Sequence, residues 1–404
     1  MSDLKLSICI PTYNRARYLE TVLVHLQEVV AQLPFETEII VSDNASDDNT
    51  LALLETSRAL LPLTILKQSE NIGAVPNMHA ALRAAKGTYL VYLADDDRLR
   101  VEALQNAISM LDANPAASAL YAPWQIKDLV GGHATRQFYR QPRNVTISQG
   151  NYSQLLEHIA EHKIYSEICI LRREVFKALN PIANDIAFWA FTTPAEYLGA
   201  GDLIYAQDPF YCSISRHFVG DNRAQLGLSE AMTAWDTYRG GLEVLHGLAL
   251  AHGGLTKPAM VAEFIRNHPL ERMHTALKLR LQLGGDPLES YTLAARLRGV
   301  GLGSQLPAPM EQIRSTAALY FACVKLPETL RAESVTIIGN CPEDTLQQLA
   351  GITNLPVRRA QQANGIGARD VVLDFSCQDE TLLEAARTSA LAHVTDTQLQ
   401  QKFA

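Results

Sequence analysis

The first 125 residues of the chain alternate between strand-like and helix-like patterns, and this alternation restricts the fold more than any other feature of the sequence. Short apolar runs rich in Val and Ile are each followed by a segment whose apolar residues recur at helical spacing. In chain order, the strand-like runs are LKLSICI, TEIIVS, LTILKQ and TYLVYLA. Repeated strand–helix units form a mostly parallel sheet with helices on both faces. The sequence therefore predicts an α/β fold for this part of the chain.

The composition excludes several classes of protein. Of the 404 residues, 47% are hydrophobic and 19% are charged, which is typical of a packed, soluble protein with more than one domain. The net charge of −8 argues against nucleic-acid binding, because contacts to phosphates need a basic surface. The six cysteines form no CxxC pair, which indicates reduced thiols in a cytoplasmic protein. No run fits a signal peptide or a bilayer span, so contact with a membrane would be peripheral.

Polar segments follow four of the strand-like runs, and they are PTYNR (11–15), SDNASDDNT (42–50), ENIGAVPN (70–77) and ADDDR (94–98). In open sheets of this kind, ligands bind outside the carboxyl ends of the strands, near the point where the strand order reverses. Asp43 lies directly on a strand end, where its carboxylate can accept the imide N–H of uracil or thymine. Ser46 or Asp47 is expected to cap the next helix, and Gly73 fits a turn with positive φ.

Three consecutive aspartates, Asp95 to Asp97, follow the fourth strand-like run. Like charges this close raise one another's pKa unless a positive group lies among them. Two interpretations remain open. The cluster is either a solvated turn that begins a helix or a site for Mg²⁺ or Mn²⁺, which bind through one or two carboxylates plus the phosphates of a substrate.

Four longer segments, in this order and at this spacing, resemble the nucleotide-sugar half of glycosyltransferase family 2, whose members are inverting enzymes with the GT-A fold. These segments are SICIPTYNRARYLETVL, EIIVSDNASDDNT, NIGAVPNMHAAL and GTYLVYLADDDRL. The resemblance is strong over residues 4–125 and weaker over residues 126–220. It implies a GT-A type, mostly parallel sheet that binds a nucleoside diphosphate sugar.

The resemblance also implies roles for particular residues of the donor pocket. In this family the residues at the first strand end line the nucleoside, the aspartate at the second strand end reads the base, and the loop after the third supports the nucleotide. The corresponding residues here are Pro11, Thr12, Tyr13 and Arg15, then Asp43, and then Asn71 and Gly73.

The metal-binding element departs from the family pattern. The usual DxDD has Ala94 in place of its first aspartate, and Asp95 substitutes for the missing carboxylate in the nucleotide-sugar site. The resemblance implies that Asp96 and Asp97 are metal ligands, with the assignment open by one residue within the cluster. It also implies that His217 completes the metal site or touches the diphosphate.

Inversion by direct displacement needs one carboxylate as a general base for the acceptor hydroxyl. The family supplies it from an ED element upstream of a run that GDLIYAQDPFYCSISRH (201–217) resembles. No ED pair is present here. Asp185 lies at about the expected distance, next to the aromatic pair Phe188 and Trp189, and is the predicted base. Glu196 is the competing candidate.

Beyond residue 222 the resemblance ends, and the predicted domains are a glycosyltransferase domain at 1–222 (donor half 1–125, acceptor half 126–222), a helical region at 223–330 and a small Rossmann-like α/β unit at 331–404. The helix-like segment from Pro258 to Gly284 carries Arg and Lys among apolar residues, which favours a packed helix with a solvated basic face over a membrane-surface element. The last unit lacks a GxGxxG run, so we expect subunit contact, as in a homo-oligomer, or partner docking there, and no cofactor.

We interpret the chain as a glycosyltransferase that depends on Mn²⁺ or Mg²⁺ and moves a sugar from a UDP or dTDP donor to a glycan or lipid-linked acceptor. The family alone suggests bacterial surface polysaccharide synthesis, in the cytoplasm or at the inner face of the membrane. One alternative is a nucleotidyltransferase, although PTYNRARY lacks the Gly-rich loop expected there. The other is a catalytically degenerate glycan-binding or scaffold module, suggested by Ala94 and the missing ED.

Overall fold

The structure, a computed structural model, describes residues 4–132, 135–179, 185–221, 226–233 and 235–403. The chain divides into two compact units, one formed by residues 1–226 with 236–269 and the other by residues 227–235 with 270–404. The domain boundary predicted between residues 222 and 223 lies outside the described residues. In the described ranges, no helix combines the length and apolar character that crossing a membrane requires.

Strands and helices alternate along most of the chain. The strands are β1 (Leu6–Thr12), β2 (Thr37–Asp43), β3 (Leu63–Lys67), β4 (Tyr89–Tyr92), β5 (Arg98–Leu99), β6 (Ala117–Tyr121), β7 (Trp124–Asp128), β8 (Arg136–Gln137), β9 (Val145–Ile147), β10 (Cys169–Arg172), β11 (Asp202–Tyr205), β12 (Tyr211–Arg216), β13 (Ser334–Gly339), β14 (Val357–Arg359), β15 (Asp370–Phe375) and β16 (Ala392–Thr395). The helices are α1 (Ala16–Gln32), α2 (Thr50–Ser57), α3 (Ala74–Ala84), α4 (Val101–Ala113), α5 (Tyr152–His162), α6 (Arg173–Leu179), α7 (Trp189–Ala200), α8 (Leu226–Thr233), α9 (Trp235–Ala251), α10 (Pro258–Leu283), α11 (Pro287–Gly299), α12 (Met310–Tyr320), α13 (Glu343–Ile352), α14 (Glu380–Ser389) and α15 (Asp396–Lys402). Short 3-10 segments lie at Gly303–Gln305, Pro327–Arg331 and Ala363–Gly365, and a π-helical turn at Phe321–Lys325.

The main sheet of the first unit has the strand order β3-β2-β1-β4-β10-β6-β11-β9. Strands β1 to β4 pair in parallel, and β10 and β9 run antiparallel to their neighbours. The first five residues of β1 are fully buried, as expected for a strand covered on both faces. The strand order reverses between β1 and β4, so the loops that follow Thr12, Asp43 and Tyr92 meet at one edge. We call this the donor edge. The predicted α/β class with a GT-A type sheet is confirmed.

A second sheet, in the order β5-β12-β7-β8, lies beside the aspartate cluster. Tyr211 at the start of β12 pairs with Leu99 on one side and with Trp124 on the other. This pairing brings the 211–216 segment against the loop after β4, although the two are more than a hundred residues apart in sequence.

Helix α9 supports the segment that precedes α7 through close backbone contact. A Cβ atom added at Gly240 would lie 2.0 Å from the carbonyl oxygen of Ile186, and one added at Gly241 would lie 2.8 Å from that of Phe188. The rings of Phe188 and Tyr238 also meet edge to face, with centroids 4.3 Å apart. Because only glycine permits this approach, α9 fixes the backbone position of residues 186–188.

The predicted helices and the predicted Rossmann-like sheet are both present, but the helical region is divided: residues 236–269 belong to the first unit, and residues 270–330 belong to the second unit together with the sheet. Strands β13 to β16 are all parallel, in the order β14-β13-β15-β16. In α10, Arg280 departs from the expected solvated basic face, because its side chain is only 7% exposed and pairs with Glu289 at 2.6 Å. Its guanidinium also lies 5.9 Å from the ring centroid of Trp235. The Arg280 side chain therefore packs inside the second unit and does not belong to a solvated face.

A buried histidine on α5 gives the first unit a pH-dependent stability. The His158 side chain is buried beside Tyr205, with ring centroids 5.0 Å apart, and its Nε2 atom has no hydrogen-bond partner among the described residues. Burial, followed by the nearby His162, lowers the pKa of His158 from 6.5 to about 4. Between pH 6.5 and about 4, His158 is protonated in the unfolded chain but neutral in the folded protein. The contribution of this difference to the free energy of unfolding is therefore greatest at pH values above 6.5 in favour of the folded state, and the stability falls as the pH drops toward 4.

We predict that His158→Phe removes this acid sensitivity while keeping an aromatic ring against Tyr205. The fall in the free energy of unfolding between pH 7.5 and 4.5 should shrink by about 2 to 3 kcal/mol relative to the parent. Urea unfolding at the two pH values measures it. An equal fall in both proteins would show that His158 titrates as an ordinary surface histidine.

Candidate functional site

The donor edge begins with a buried carboxylate at the end of β2. Asp43 is fully buried, and its Oδ1 atom accepts the backbone N–H of Ser46 at 3.2 Å. Its Oδ2 atom is buried and has no hydrogen-bond partner within the described ranges. A buried acceptor left unpaired costs on the order of 1–3 kcal/mol. Asp43 therefore has a buried acceptor atom without a partner among the described residues, and its predicted contact with a base stays a prediction.

The loop after β3 is held to the same edge by Asn44, a residue that the sequence analysis did not single out. Its side-chain amide donates to the Asn71 Oδ1 at 2.9 Å and to the Gly73 carbonyl at 3.3 Å, and its Oδ1 accepts the Ile72 N–H at 2.9 Å. Gly73 has φ of 91°, the positive value that the sequence suggested. The available signal was the position of Asn44, directly after Asp43 at a strand end.

The loops after β1 and β2 brace each other. The Asn14 N–H donates to Ser46 Oγ at 2.9 Å, and the Asp47 N–H donates to Asn14 Oδ1 at 2.9 Å. The prediction that Ser46 or Asp47 caps α2 is wrong, because Asn49 is the N-cap residue and Ser46 is engaged by Asn14. Asp48 accepts the Thr50 N–H at 2.9 Å instead.

Residues of the β1 loop reach the aspartate cluster. Thr12 donates its hydroxyl to Asp95 Oδ2 at 2.7 Å, and the Arg15 guanidinium lies 3.5 Å from Asp96 Oδ2. Burial, and then the charge of Asp96, raise the pKa of Asp95 to about 7. Of the other predicted pocket residues, Pro11 is partly buried at the end of β1 and Tyr13 is 43% exposed.

Asp97 points into the protein. Its Oδ2 atom accepts the Tyr211 hydroxyl at 2.8 Å, and its Oδ1 atom accepts the Ile214 N–H at 2.7 Å. Tyr211 also accepts the Ala94 N–H at 3.1 Å, so it ties both ends of the cluster to β12. Burial, and then Asp96, raise the pKa of Asp97 to about 7. Sequence reasoning missed Tyr211, because its role depends on a pairing between distant strands.

The segment after β12 places His217 beside Asp96. His217 Nε2 donates to the backbone oxygen of Asp96 at 2.7 Å. Asp221 accepts the His217 N–H and the Tyr18 hydroxyl, each at 2.9 Å, which fastens the segment to α1. The predicted donor-edge residues Thr12, Arg15, Asp95, Asp96, Asp97 and His217 are thus joined in one network.

The residues at this edge fit a divalent cation that takes a few ligands from the protein and the others from the phosphates of a substrate. Among the described residues, no three His, Cys, Asp or Glu side chains converge as a metal cluster. Asp96, with its side chain 16% exposed, and His217 offer a hard oxygen and an imidazole, which suit Mg²⁺ or Mn²⁺. Burial, and then the charge of Asp96, disfavour the ionised form of Asp95, and a nearby cation would favour it. Asp97 fits less well, because β12 occupies both of its oxygens.

The two candidate bases lie before α7 and within it. Asp185 is exposed, before α7, and Glu196 is exposed on α7, although partial burial of its carboxyl raises its pKa. No hydrogen bond or ion pair joins either residue to the donor-edge network in the part of the chain that the structure describes. Of the predicted aromatic pair, Phe188 is 5% exposed and belongs to the core, whereas Trp189 is 37% exposed.

Known proteins resemble this chain in both sequence and structure. Residues 7–179 match the family model "Glycosyl transferase family 2". The abequosyltransferase RfbV of Salmonella typhimurium is 28% identical over 199 residues, covering 48% of this chain and 57% of RfbV. The poly(ribitol-phosphate) beta-N-acetylglucosaminyltransferase TarS of Staphylococcus aureus is 24% identical over 295 residues, covering 70% of this chain and 48% of TarS. The chain therefore spans about half the length of these curated relatives.

Among solved structures, residues 1–349 of S. aureus TarS in complex with UDP-GlcNAc superpose with a TM-score of 0.47 and 20% identity. The superposition covers 78% of this chain and 91% of that one. The match of the family model carries the assignment, and it coincides with the segments in which the sequence motifs were found. Residues 7–179 of the chain therefore form a segment that matches glycosyl transferase family 2.

Proposed function

We propose that this chain is a metal-dependent inverting glycosyltransferase that moves a sugar from a UDP or dTDP sugar to a hydroxyl group of a glycan or a lipid-linked acceptor. The observation that carries the proposal is the unpaired, buried Oδ2 of Asp43 at the end of β2, on the same edge of the sheet as the Asp95 and Asp96 carboxylates. Both named relatives are bacterial glycosyltransferases, which supports bacterial surface polysaccharide synthesis as the setting. All six cysteines are unpaired thiols, which supports a cytoplasmic location.

In the proposed mechanism the donor edge binds and orients the nucleotide. Asp43 accepts the ring N–H of the base, and the braced loops that carry Thr12 and Asn71 enclose the nucleoside. Arg15, whose guanidinium lies 3.5 Å from Asp96 Oδ2, would add positive charge beside the diphosphate. A divalent ion held by Asp96 and His217 would stabilise the charge that grows on the leaving diphosphate.

The acceptor hydroxyl attacks the anomeric carbon from the face opposite the leaving group. Its oxygen forms the new bond to that carbon as the bond to the diphosphate oxygen breaks, which inverts the configuration. We propose that Asp185 takes the hydroxyl proton as general base, with Glu196 as the competing candidate. The exposed ring of Trp189, four positions after Asp185 in the sequence, would stack against an acceptor sugar.

We predict that Asp43→Ala weakens UDP binding by about 1 to 3 kcal/mol, because the uracil N–H loses its acceptor. Cytosine has no N–H at the same ring position, so CDP should bind the parent weakly and the variant no worse. Calorimetry with both nucleotides and Mn²⁺ tests this. Asp47→Ala is the matched control, since Asp47 is exposed on the same loop.

If Asp43→Ala binds UDP as tightly as the parent does, the base-reading role is wrong. Mn²⁺-dependent hydrolysis or transfer of a UDP or dTDP sugar is the separate test of activity. Nucleotide binding without any such turnover would favour the degenerate glycan-binding module.

A further inference from the structure

The Rossmann-like sheet of the second unit has its own point of strand-order reversal. From β13 the chain passes to β14 on one side, and then to β15 and β16 on the other. The carboxyl ends of β13 and β15 therefore flank the position at which open α/β sheets bind ligands. A Cβ atom added at Gly339 would lie 2.5 Å from the Phe375 carbonyl oxygen, and the Asn340 N–H donates to the same oxygen at 2.8 Å. The two strand ends are thus held close together.

A crevice of about 350 Å³ opens at this position, between the strand ends and helices α12 and α15. This volume is within the range of sites for small molecules. Its polar lining combines hydroxyl and amide groups, from Ser315, Asn340, Thr345, Ser376 and Gln400, with the charged groups of Glu311, Arg314 and Asp396. Its apolar lining includes the partly buried Phe375, and aromatic side chains are suitable contacts for the C–H groups of a sugar. Uncharged hydrogen-bonding groups beside an aromatic ring suit a polyhydroxylated ligand.

The charges around the crevice argue against a phosphate-bearing ligand. The first turn of α13 carries Glu343 and Asp344, and that of α15 carries Asp396, so acidic groups occupy the helix ends that would otherwise attract an anion. The arginine in the lining, Arg314, pairs with Glu311 at 2.9 Å. The crevice therefore presents no net positive charge to a nucleotide.

We propose that the second unit binds an uncharged polyhydroxylated ligand, a sugar or a sugar alcohol, in this crevice. The site is built from other residues than the donor edge, and it does not depend on the function proposed for that edge. In an enzyme that extends a glycan, such a site would retain the chain being extended. Asp43→Ala tests the donor edge and leaves this site intact. A negative result for one proposal therefore does not contradict the other.

Saturation-transfer NMR on the full chain tests the proposal, with N-acetylglucosamine, galactose, mannose and ribitol as probes. UDP and Mn²⁺ are kept in excess to fill the donor edge. Ser315→Trp and Gln400→Trp each add a bulky ring at an exposed lining position, the first on α12 and the second on α15. Gln312→Trp, on an exposed position of α12 outside the crevice, is the matched control.

At least one probe is expected to bind the parent, with both crevice variants weakening it about tenfold or more and the control changing it less than about twofold, because only the first two exclude the ligand. Because two variants are made on different helices, the test remains valid if one of them does not fold. Binding of no probe, or binding that survives both crevice variants, would overturn the proposal. So would inorganic phosphate that binds the parent and is lost in Ser315→Trp.

Discussion

Asp96→Ala is expected to lower sugar transfer by on the order of 10²–10³-fold, the usual effect of removing a group that stabilises charge on the reacting atoms. The expectation rests on the position of Asp96 between the Arg15 guanidinium and the His217 ring, at the end of the fourth strand. The variant should also lose the gain in UDP affinity that Mn²⁺ gives the parent. Calorimetry with and without Mn²⁺, together with transfer assays, measures both effects.

The fold should tolerate this change, because an ion pair near the surface stabilises by only about 1 kcal/mol or less. Asp47→Ala serves again as the control, as an aspartate at the same edge without a proposed contact to metal or phosphate. If the Asp96 variant keeps its metal-assisted affinity, the ligand is another member of the cluster. Asp95→Ala then becomes the variant to measure, because β12 occupies both oxygens of Asp97.

Asp185→Asn is expected to lower kcat by on the order of 10²–10⁴-fold, the usual contribution of a general base, while the donor binds almost as tightly as before. The reason is that the base touches the acceptor and acts only in the transition state. Asp185 is exposed and free of the donor-edge network, as a residue facing a second substrate should be. Steady-state kinetics and UDP calorimetry separate the two effects.

Glu196→Gln is the matched comparison on the same side of the molecule. If Glu196→Gln is inactive and Asp185→Asn keeps near-normal turnover, Glu196 is the base. If both variants remain active, the acceptor is bound elsewhere and the proposed base is wrong. The helix that carries Glu196 begins only at Trp189, so the two carboxylates do not share one helix.

The sequence was sufficient to predict the parts of the donor edge that depend on local pattern. Asp43 ends a strand, and Gly73 and the aspartate cluster lie in loops that follow strands; strand ends are recognisable from apolar runs and turn residues. The long-range partners could not be predicted in this way. Tyr211 reaches Asp97 across 114 positions, and nothing near Tyr211 in the sequence marks it as a support for a distant loop.

Sequence reasoning meets the same limit for the residues of the acceptor side. A carboxylate at about the right spacing identified Asp185, but spacing alone does not show which way a loop lies. In the structure, the loop position depends on the contact of Ile186 with Gly240, which lies far beyond the matched domain. The family resemblance therefore describes the donor half better than it describes the residues that receive the sugar.

The contact between α9 and the residues before α7 also determines where the chain can be cut for expression. Phe188 and Tyr238 are 5% and 3% exposed, so a fragment that stops near residue 222 would lose Tyr238 and expose the Phe188 ring to water. Such a fragment would contain the whole matched domain and still be prone to aggregate, because it carries an uncovered aromatic patch. A fragment extended to Pro269 retains every residue of α9 that packs there.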